Sequence, residues 1–192
     1  YKRQGLVRTF QLTRILGSMT VLENLMTAAH DQAGETVAGA LFRRGTMRRQ
    51  EAEIEARARD MLERFSISHL TDEYAGRLSG GQKKLLELAR ALMTDPQMVL
   101  LDEPMAGVNP ALGERLLEYV HELRAEGMTF LFVEHDMDIV MRTSDRVVVM
   151  ATGQIISDGT PAEVRADPAV IAAYLGEHPE DDLEEGEEGY ET

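Results

Sequence analysis

Short apolar runs alternate with longer amphipathic stretches along this chain of 192 residues. Two apolar runs, at 98–101 and 129–133, are each followed by acidic residues, which is typical of buried parallel strands with polar chemistry at their carboxyl ends. Strands that alternate with helices indicate an α/β fold with a mostly parallel sheet. Apolar residues spaced three and four apart predict helices at 20–30, 49–65, 82–94 and 111–126. The other predicted elements are a short strand in 6–12 that runs into a loop at Gln11, a helix at about 136–143, a hairpin of 146–150 and 154–157, and helices from Pro161 and over 169–175.

Local residue chemistry marks several boundaries of these elements. Thr20 is a predicted helix N-cap, and Glu23 three residues later completes the capping-box pattern. Pro96 ends the helix at 82–94, because proline cannot continue a helix and restricts the residue before it. Glycines interrupt 31–47, and arginines cluster at its end, which predicts a solvated loop with basic stems. A contact with lipid headgroups or a partner subunit is the alternative for this loop.

Composition and charge narrow the class of protein. The chain is 43% hydrophobic and 28% charged, which is typical of a globular protein, and it has no cysteine for a disulfide or a Cys-based zinc site. Its longest strictly apolar run has seven residues, against about 20 for a membrane-spanning helix. Of the net charge of −14, residues 177–192 supply nine acids and no bases, and the rest of the chain carries only −5. A mildly acidic body argues against nucleic-acid binding. We expect 177–192 to be a disordered acidic tail, with a regulatory segment as the alternative.

Candidate chemistry gathers where the apolar runs end. Asp102 and Glu103 follow the first run. Two adjacent acids at a strand end could serve as one metal ligand and one contact to a reacting water. The alternative is a polar strand end that caps the next turn. Adjacent strand residues point to opposite faces, which separates the two roles. His135 closes the second run, where it is either structural or placed to contact a phosphate. The glycine-rich segment 78–82 precedes a helix, so it is either an anion-binding loop or a flexible turn.

Five of these segments, in this order, resemble the nucleotide-binding subunit of an ABC transporter. Gln11 resembles the Q-loop, Leu78-Ser79-Gly80-Gly81-Gln82 the signature motif, 98–104 the Walker B motif, 106–110 the D-loop, and Glu134-His135-Asp136 the H-switch. The resemblance covers residues 5–176, and five motifs in order are far more specific than any one of them. It implies an α/β P-loop NTPase-like core with a helical subdomain at about 20–94, within a partial nucleotide-binding domain at 1–176.

The resemblance also implies roles for individual residues, with ATP and Mg²⁺ as the bound groups. Glu103 would be the general base, and His135 would contact the γ-phosphate. Asp102 would hold Mg²⁺ through water, and Gln11 would touch both Mg²⁺ and the attacking water. Ser79, Gly80 and Gly81 would bind ATP held by the other subunit of a head-to-tail dimer. The remaining ATP-binding residues are Gln82 and Asn109, and Asn109 stands where many members have Asp.

A narrower resemblance concerns the type of transporter. The segments 5–11 and 20–25, Glu134-His135-Asp136-Met137 and Ala173-Tyr174-Leu175-Gly176 are similar to the branched-chain amino-acid (LivG-type) importer ATPases. This implies an ATPase on the cytoplasmic face of the cell membrane. Its implied partners are permease subunits, a second ATPase subunit in a homo- or heterodimer and, indirectly, a solute-binding protein. No nucleic-acid partner is implied. The alternatives are a non-transport ABC ATPase of the translation, chromosome or repair type, and a lipopolysaccharide-export ATPase.

One family motif is missing from the 192 residues. ABC ATPases bind nucleotide with a P-loop, Gly-x-x-x-x-Gly-Lys-Ser/Thr, which lies before the Q-loop and whose lysine reaches the phosphates. No such string occurs in the chain, and its first residue is Tyr1 rather than methionine. We therefore expect a chain truncated before the Q-loop, without the Walker A strand, loop and helix, and inactive as an ATPase by itself.

Overall fold

A computed structural model of the protein describes residues 6–8, 15–29 and 44–176. The chain divides into two compact units, Tyr1–His135 and Asp136–Thr192, each with a hydrophobic core of its own. Gln11, most of the glycine-containing loop and the acidic segment 177–192 lie outside the described residues. The predictions made for them therefore stay predictions.

The described elements follow the predicted alternation of strands and helices. In the first unit they are β1 (Leu6–Arg8), α1 (Val21–Met26), α2 (Arg44–Arg64), two 3-10 helices (Ser68–Leu70 and Ala75–Arg77), α3 (Gly80–Leu92), β2 (Met98–Asp102), α4 (Pro110–Ala125) and β3 (Thr129–Val133). In the second unit they are α5 (Met137–Thr143), β4 (Val147–Ala151), β5 (Gln154–Gly159), α6 (Pro161–Ala166) and α7 (Pro168–Gly176).

The three strands of the first unit form a parallel sheet in the order β1-β2-β3. Met98 lies opposite Leu6 on one side and Thr129 on the other, and the register runs on until Asp102 lies opposite Val133. Parallel strands joined through helices confirm the predicted α/β class. The register also brings the carboxyl ends of β2 and β3 to the same point of one sheet edge.

The prediction that β3 is buried is wrong in part. Leu131 and Val133 are 51% and 50% exposed, whereas Phe130 and Phe132 pack on the core with their ring centroids 6.3 Å apart. Among the described residues β3 pairs only with β2, and its face that carries Leu131 and Val133 is left half exposed. An apolar run predicts that a strand exists but not which neighbours cover its faces.

Local capping chemistry sets where the helices begin. The predicted capping box of α1 is present: the Thr20 hydroxyl accepts from the Glu23 amide, and the Glu23 carboxylate accepts from the Thr20 amide at 2.8 Å. The helix ends at Met26, earlier than predicted. Helix α2 begins at Arg44, so the loop predicted to reach residue 47 is wrong at that end. Favourable Arg49–Glu53 pairing, four residues apart, supports a helix through this basic segment.

Helices α1 to α4 enclose the core of the first unit together with β2. Its largest fully buried side chains include Leu25, Leu62, Phe65, Leu86 and Leu88. The Phe65 ring lies 4.7 Å from the Tyr119 ring, centroid to centroid, and the Arg64 guanidinium pairs with Glu126 at 2.5 Å. The end of α2 is therefore fixed against α4.

One polar side chain lies fully inside this core. Asn24, on α1, accepts a hydrogen bond from the Leu16 amide at 2.8 Å and donates to the carbonyls of Leu16 and Thr20 at 3.0 and 2.9 Å. Its own backbone carbonyl accepts from Arg90 of α3 at 3.1 Å. Asn24 thus satisfies the backbone of 16–20 and ties that segment to two helices.

The second unit is built on the predicted hairpin. Strands β4 and β5 pair antiparallel, and Thr152 and Gly153 form the two-residue turn with φ of 49° and 79°, as hairpin turns of this length require. Val164 of α6 and Val170 of α7 pack with Val147 as its core. In the described part of the chain, no helix has both the length and the apolar character needed to cross a membrane.

We predict that Asn24→Ala destabilises the first unit by about 2–3 kcal/mol, because it leaves buried backbone groups of the 16–20 segment without partners. Asn109→Ala is the matched control, since Asn109 is an exposed helix N-cap whose loss costs about 1 kcal/mol. Urea unfolding of the two variants measures the difference. Equal losses would show that the Asn24 side chain is no more important than an ordinary cap.

Candidate functional site

The two predicted acids lie at the carboxyl end of β2. Asp102 is the last strand residue, and Glu103 has already left the strand, with a φ of 44° in the left-handed region. The Glu103 amide donates to the Val133 carbonyl at 2.8 Å, which fixes the turn against the end of β3. Strand alternation therefore does not apply to Glu103, and the prediction that alternation separates the two acids is wrong. A backbone turn separates them instead.

The end of β3 contributes two side chains with opposite environments. The His135 side chain is 80% exposed, whereas that of Glu134 is only 2% exposed. A Glu134 oxygen accepts from the Met105 amide at 3.0 Å, and the other lies 4.0 Å from Nδ1 of His135. His135 is thus available to a ligand at the same sheet edge as Asp102, and Glu134 is committed to the turn that follows β2.

The glycine-rich segment forms the start of α3 and is not a flexible turn. Ser79 is the N-cap: its hydroxyl accepts from the Gln82 amide at 3.3 Å, and the Gln82 side chain accepts from the Ser79 amide at 2.9 Å. This capping box gives both residues a local structural role. The Ser79 hydroxyl still has its proton to donate, because a hydroxyl both donates and accepts.

The two glycines of this segment differ in what surrounds them. A Cβ added at Gly80 would meet nothing within 4 Å, so the space beside Gly80 is open. A Cβ added at Gly81 would lie 1.9 Å from Cδ2 of Leu112, on α4. Gly81 therefore allows α3 and α4 to approach each other, whereas Gly80 presents bare backbone at a helix N-terminus, where amides and the helix dipole favour anions.

Lys84 belongs to this site, although its place in the sequence does not indicate this. Its ammonium donates to the carbonyls of Glu103, Pro104 and Ala106 at 3.1, 2.8 and 2.6 Å. Burial lowers the pKa of Lys84, although the carboxylates of Glu134, Glu87 and Glu103 act in the opposite direction. Nothing in the sequence distinguishes Lys84 from the adjacent lysine, because only the packing of α3 on the β2 turn gives it these partners.

The hydrogen bonds of Lys84 can be compared with the conformational strain of the turn at Glu103. A non-glycine residue in the left-handed region costs about 1–3 kcal/mol. Hydrogen bonds to charged groups contribute about 1.5–3 kcal/mol each. The three bonds from the Lys84 ammonium to residues 103–106 therefore oppose the strain at Glu103, although burial of the ammonium reduces their net contribution.

For two further predicted residues, the structure gives no evidence of a role in nucleotide binding. Asn109 is the N-cap of α4, where its side chain accepts from the Leu112 amide at 2.9 Å. That bond explains the residue locally, and its contact with ATP stays a prediction. Gln11 lies outside the described residues, so its predicted contacts also stay predictions.

Two observations bear on metal binding at Asp102: the size of the neighbouring cavity and the number of nearby acidic side chains. A cavity of about 20 Å³, which suits a single water, lies beside Asp102. Within the described ranges, no group of three or more His, Asp or Glu side chains is arranged to hold a metal. Mg²⁺ bound together with a nucleotide needs only one or two carboxylates, since phosphates and waters supply the other oxygens. Asp102 at the strand end fits that need. The cavity is lined by Lys84, Glu87, Leu88, Leu101, Asp102, Pro104 and Leu116.

Comparison with protein families gives two matches. Residues 1–106 match the ABC transporter family, and residues 154–180 match the family described as branched-chain amino acid ATP-binding cassette transporter. The chain is 46% identical to the probable branched-chain amino acid transport ATP-binding protein LivG of Methanocaldococcus jannaschii, over 90% of this chain and 68% of the relative. It is 42% identical to the high-affinity branched-chain amino acid transport ATP-binding protein BraF of Pseudomonas aeruginosa, over 91% and 69%.

Solved structures agree with these matches. The ADP conformation of an ATP-binding cassette of an ABC transporter superposes with a TM-score of 0.70 at 42% identity, over 91% of this chain and 70% of that one. A nucleotide-free ATP-binding cassette gives 0.71 at 44% identity, over 90% and 69%. The chain thus spans about two thirds of the length of the relatives that it matches.

We predict that the two signature glycines respond differently to alanine. Gly81→Ala lowers the free energy of unfolding by about 1–3 kcal/mol, because Leu112 must move to admit the methyl group. Gly80→Ala changes it by less than about 0.5 kcal/mol, as for a surface substitution. Denaturant unfolding of both variants tests this. If the contact with Leu112 causes the Gly81→Ala effect, the double variant Gly81→Ala/Leu112→Ala loses less free energy of unfolding than the two single variants added together. A double-variant loss equal to that sum would contradict the contact.

Proposed function

Because the chain belongs to the ATP-binding cassette family of ABC transporters, a class of ATP-hydrolysing enzymes, we propose that it is the ATPase subunit of an importer for branched-chain amino acids. The narrower part of the proposal is supported by the names of its relatives and by the second family match, at 154–180. Because the names of these relatives describe branched-chain amino acid transport, they do not favour an ABC ATPase of the translation, chromosome, repair or lipopolysaccharide-export type.

The observation that carries the proposed chemistry is the shared edge of the sheet. The pairing of Asp102 with Val133, and the bond from the Glu103 amide to the Val133 carbonyl, bring both acids to the sheet edge where β3 ends, two residues before the exposed His135. Glu103 would take the proton of the water that attacks the γ-phosphate, as a general base does. His135 would hold the γ-phosphate by a hydrogen bond from its imidazole.

Mg²⁺, when bound with ATP, neutralises charge on the phosphates and orients them. Asp102 would hold it through water, together with Gln11. The position of Asp102 at the end of a central parallel strand supports this role, since ligands of α/β sheets bind at that edge.

The start of α3 would bind ATP held by a second subunit in a head-to-tail dimer. Two features support this assignment: the open space at Gly80 and the hydroxyl proton of Ser79. Gly81, Gln82 and Asn109 would complete this surface, in addition to the packing and capping roles described for them. A site of this kind makes hydrolysis depend on dimer formation.

The transporter context supplies the partners. ATPase subunits of ABC transporters act with membrane permease subunits, and we assign this chain to the cytoplasmic face of the membrane, next to such subunits. The second ATPase subunit is a copy of this chain or a related one, and a solute-binding protein acts with the complex indirectly. Within the chain, residues 20–94 would form the helical subdomain of the nucleotide-binding domain, and the acidic segment 177–192 a solvated tail.

We predict that Glu103→Gln lowers the ATPase rate by at least about 100-fold in a subunit where a P-loop segment precedes this chain, as expected when a general base is lost. ATP binding and dimer formation persist, because the amide keeps the shape of the side chain. Glu118→Gln, an exposed acid on α4, is the matched control and keeps the parental rate. An undiminished rate in the Glu103 variant would remove Glu103 from the role of base.

We also predict that the 192-residue chain by itself gives no saturable ATP binding in calorimetry at micromolar protein. The reason is that the sequence contains no P-loop string whose lysine and backbone amides would hold the phosphates. A P-loop-containing subunit in the same buffer serves as the positive control. Tight binding to the chain alone would mean that another loop performs this task.

A further inference from the structure

We propose that Lys84 and Glu134 are positioning residues for hydrolysis, which hold the turn 103–106 so that the carboxylate of Glu103 faces the reacting water. The inference rests on the proposed role of Glu103 as general base. Neither Lys84 nor Glu134 is needed to contact ATP or Mg²⁺ in the proposed mechanism, yet both are committed to this one turn.

Lys84 holds the turn from the side of α3. One ammonium reaches three carbonyls, those of Glu103, Pro104 and Ala106, at 2.6 to 3.1 Å. Three donors on one nitrogen match three acceptors on one turn, and no uncharged side chain could supply them all. A lysine that served only solubility would point into water, whereas this ammonium turns inward.

Glu134 holds the same turn from the side of β3. Its carboxylate accepts from the Met105 amide at 3.0 Å, and its side chain is almost fully buried. Burying a carboxylate is unfavourable unless it is bonded and compensated by charge. The Lys84 ammonium is close enough to Glu134 for their charges to interact, so the two residues compensate each other across the turn.

The backbone of Glu103 shows why such a hold is needed. Its φ of 44° is a conformation that residues with a side chain avoid, so a released turn would relax toward negative φ. That rotation would swing the Glu103 carboxylate away from its present direction. Lys84 acts directly on the Glu103 carbonyl, and the Glu103 amide is bonded to the Val133 carbonyl, so both ends of the residue are fixed.

The first arm of the test uses hydrogen exchange by NMR on the 192-residue chain. Lys84→Met keeps the aliphatic stem and removes the ammonium, and Lys83→Met is the matched control on the same helix. We expect the amides of Glu103 and Met105 to exchange at least 10-fold faster in Lys84→Met, with the amide of Val120 in α4 unchanged as a measure of folding. Exchange within twofold of the parent would overturn the inference, whatever the outcome for ATP hydrolysis.

The second arm measures steady-state ATP hydrolysis by a subunit in which a P-loop segment precedes this chain. We expect Lys84→Met to lower kcat at least 10-fold while KM for ATP stays within twofold, because the base is misplaced but the nucleotide is still bound. Glu134→Gln keeps an acceptor oxygen for the Met105 amide and loses less kcat than Glu134→Ala. Faster exchange at Glu103 with an unchanged kcat would overturn the positioning role. Glu103→Gln separates the two proposals: if that variant stays active, the proposed base is wrong, while the exchange result still reports on the turn.

Discussion

The interaction on which the site depends is the one between the Lys84 ammonium and the carbonyls of the turn after β2. One charged donor bonds three backbone carbonyls of this turn at once. Without that donor, the Glu103 carbonyl would keep its bond from the Ala106 amide, but the carbonyls of all three residues would lose the ammonium, and the left-handed backbone of Glu103 would have less to hold it. The turn, the end of β3 and the start of α3 are therefore parts of one arrangement.

Helix α3 is the element through which this arrangement reaches the rest of the first unit. Near its start, Ser79 and Gln82 cap it and Gly81 lets it approach α4. Near its end, Arg90 donates to the backbone carbonyl of Asn24, whose side chain in turn satisfies the backbone of 16–20. Burial lowers the pKa of Arg90, which reflects how far this contact is removed from water. One helix thus connects the glycine-rich segment, the sheet edge and α1.

The features that could be predicted from the sequence are those decided within a few residues. The Thr20–Glu23 capping box, the strand β2 and the turn at Thr152 and Gly153 follow from local chemistry, and the structure contains all three. The exposure of β3 could not be predicted, because it depends on which elements cover its face. The left-handed φ of Glu103 and the choice of Lys84 over Lys83 could not be predicted either, since both result from how α3 packs on the sheet edge. Through the resemblance, the sequence therefore indicates candidate functional residues, but it does not indicate the residues that hold them in place.

The position of Lys84 has a consequence for a dimer of such subunits. If the start of α3 binds ATP held by the second subunit, then Lys84, two residues after Gln82, links that binding event to the base of its own subunit. Packed elements of this kind move as units rather than deform gradually, because protein interiors are close-packed. A displacement of α3 on dimer closure would therefore be carried to the Glu103 turn through three hydrogen bonds, and loss of the ammonium would uncouple them. In such a dimer each ATP would help to position the proposed base that acts on the other, which would couple hydrolysis at the two sites.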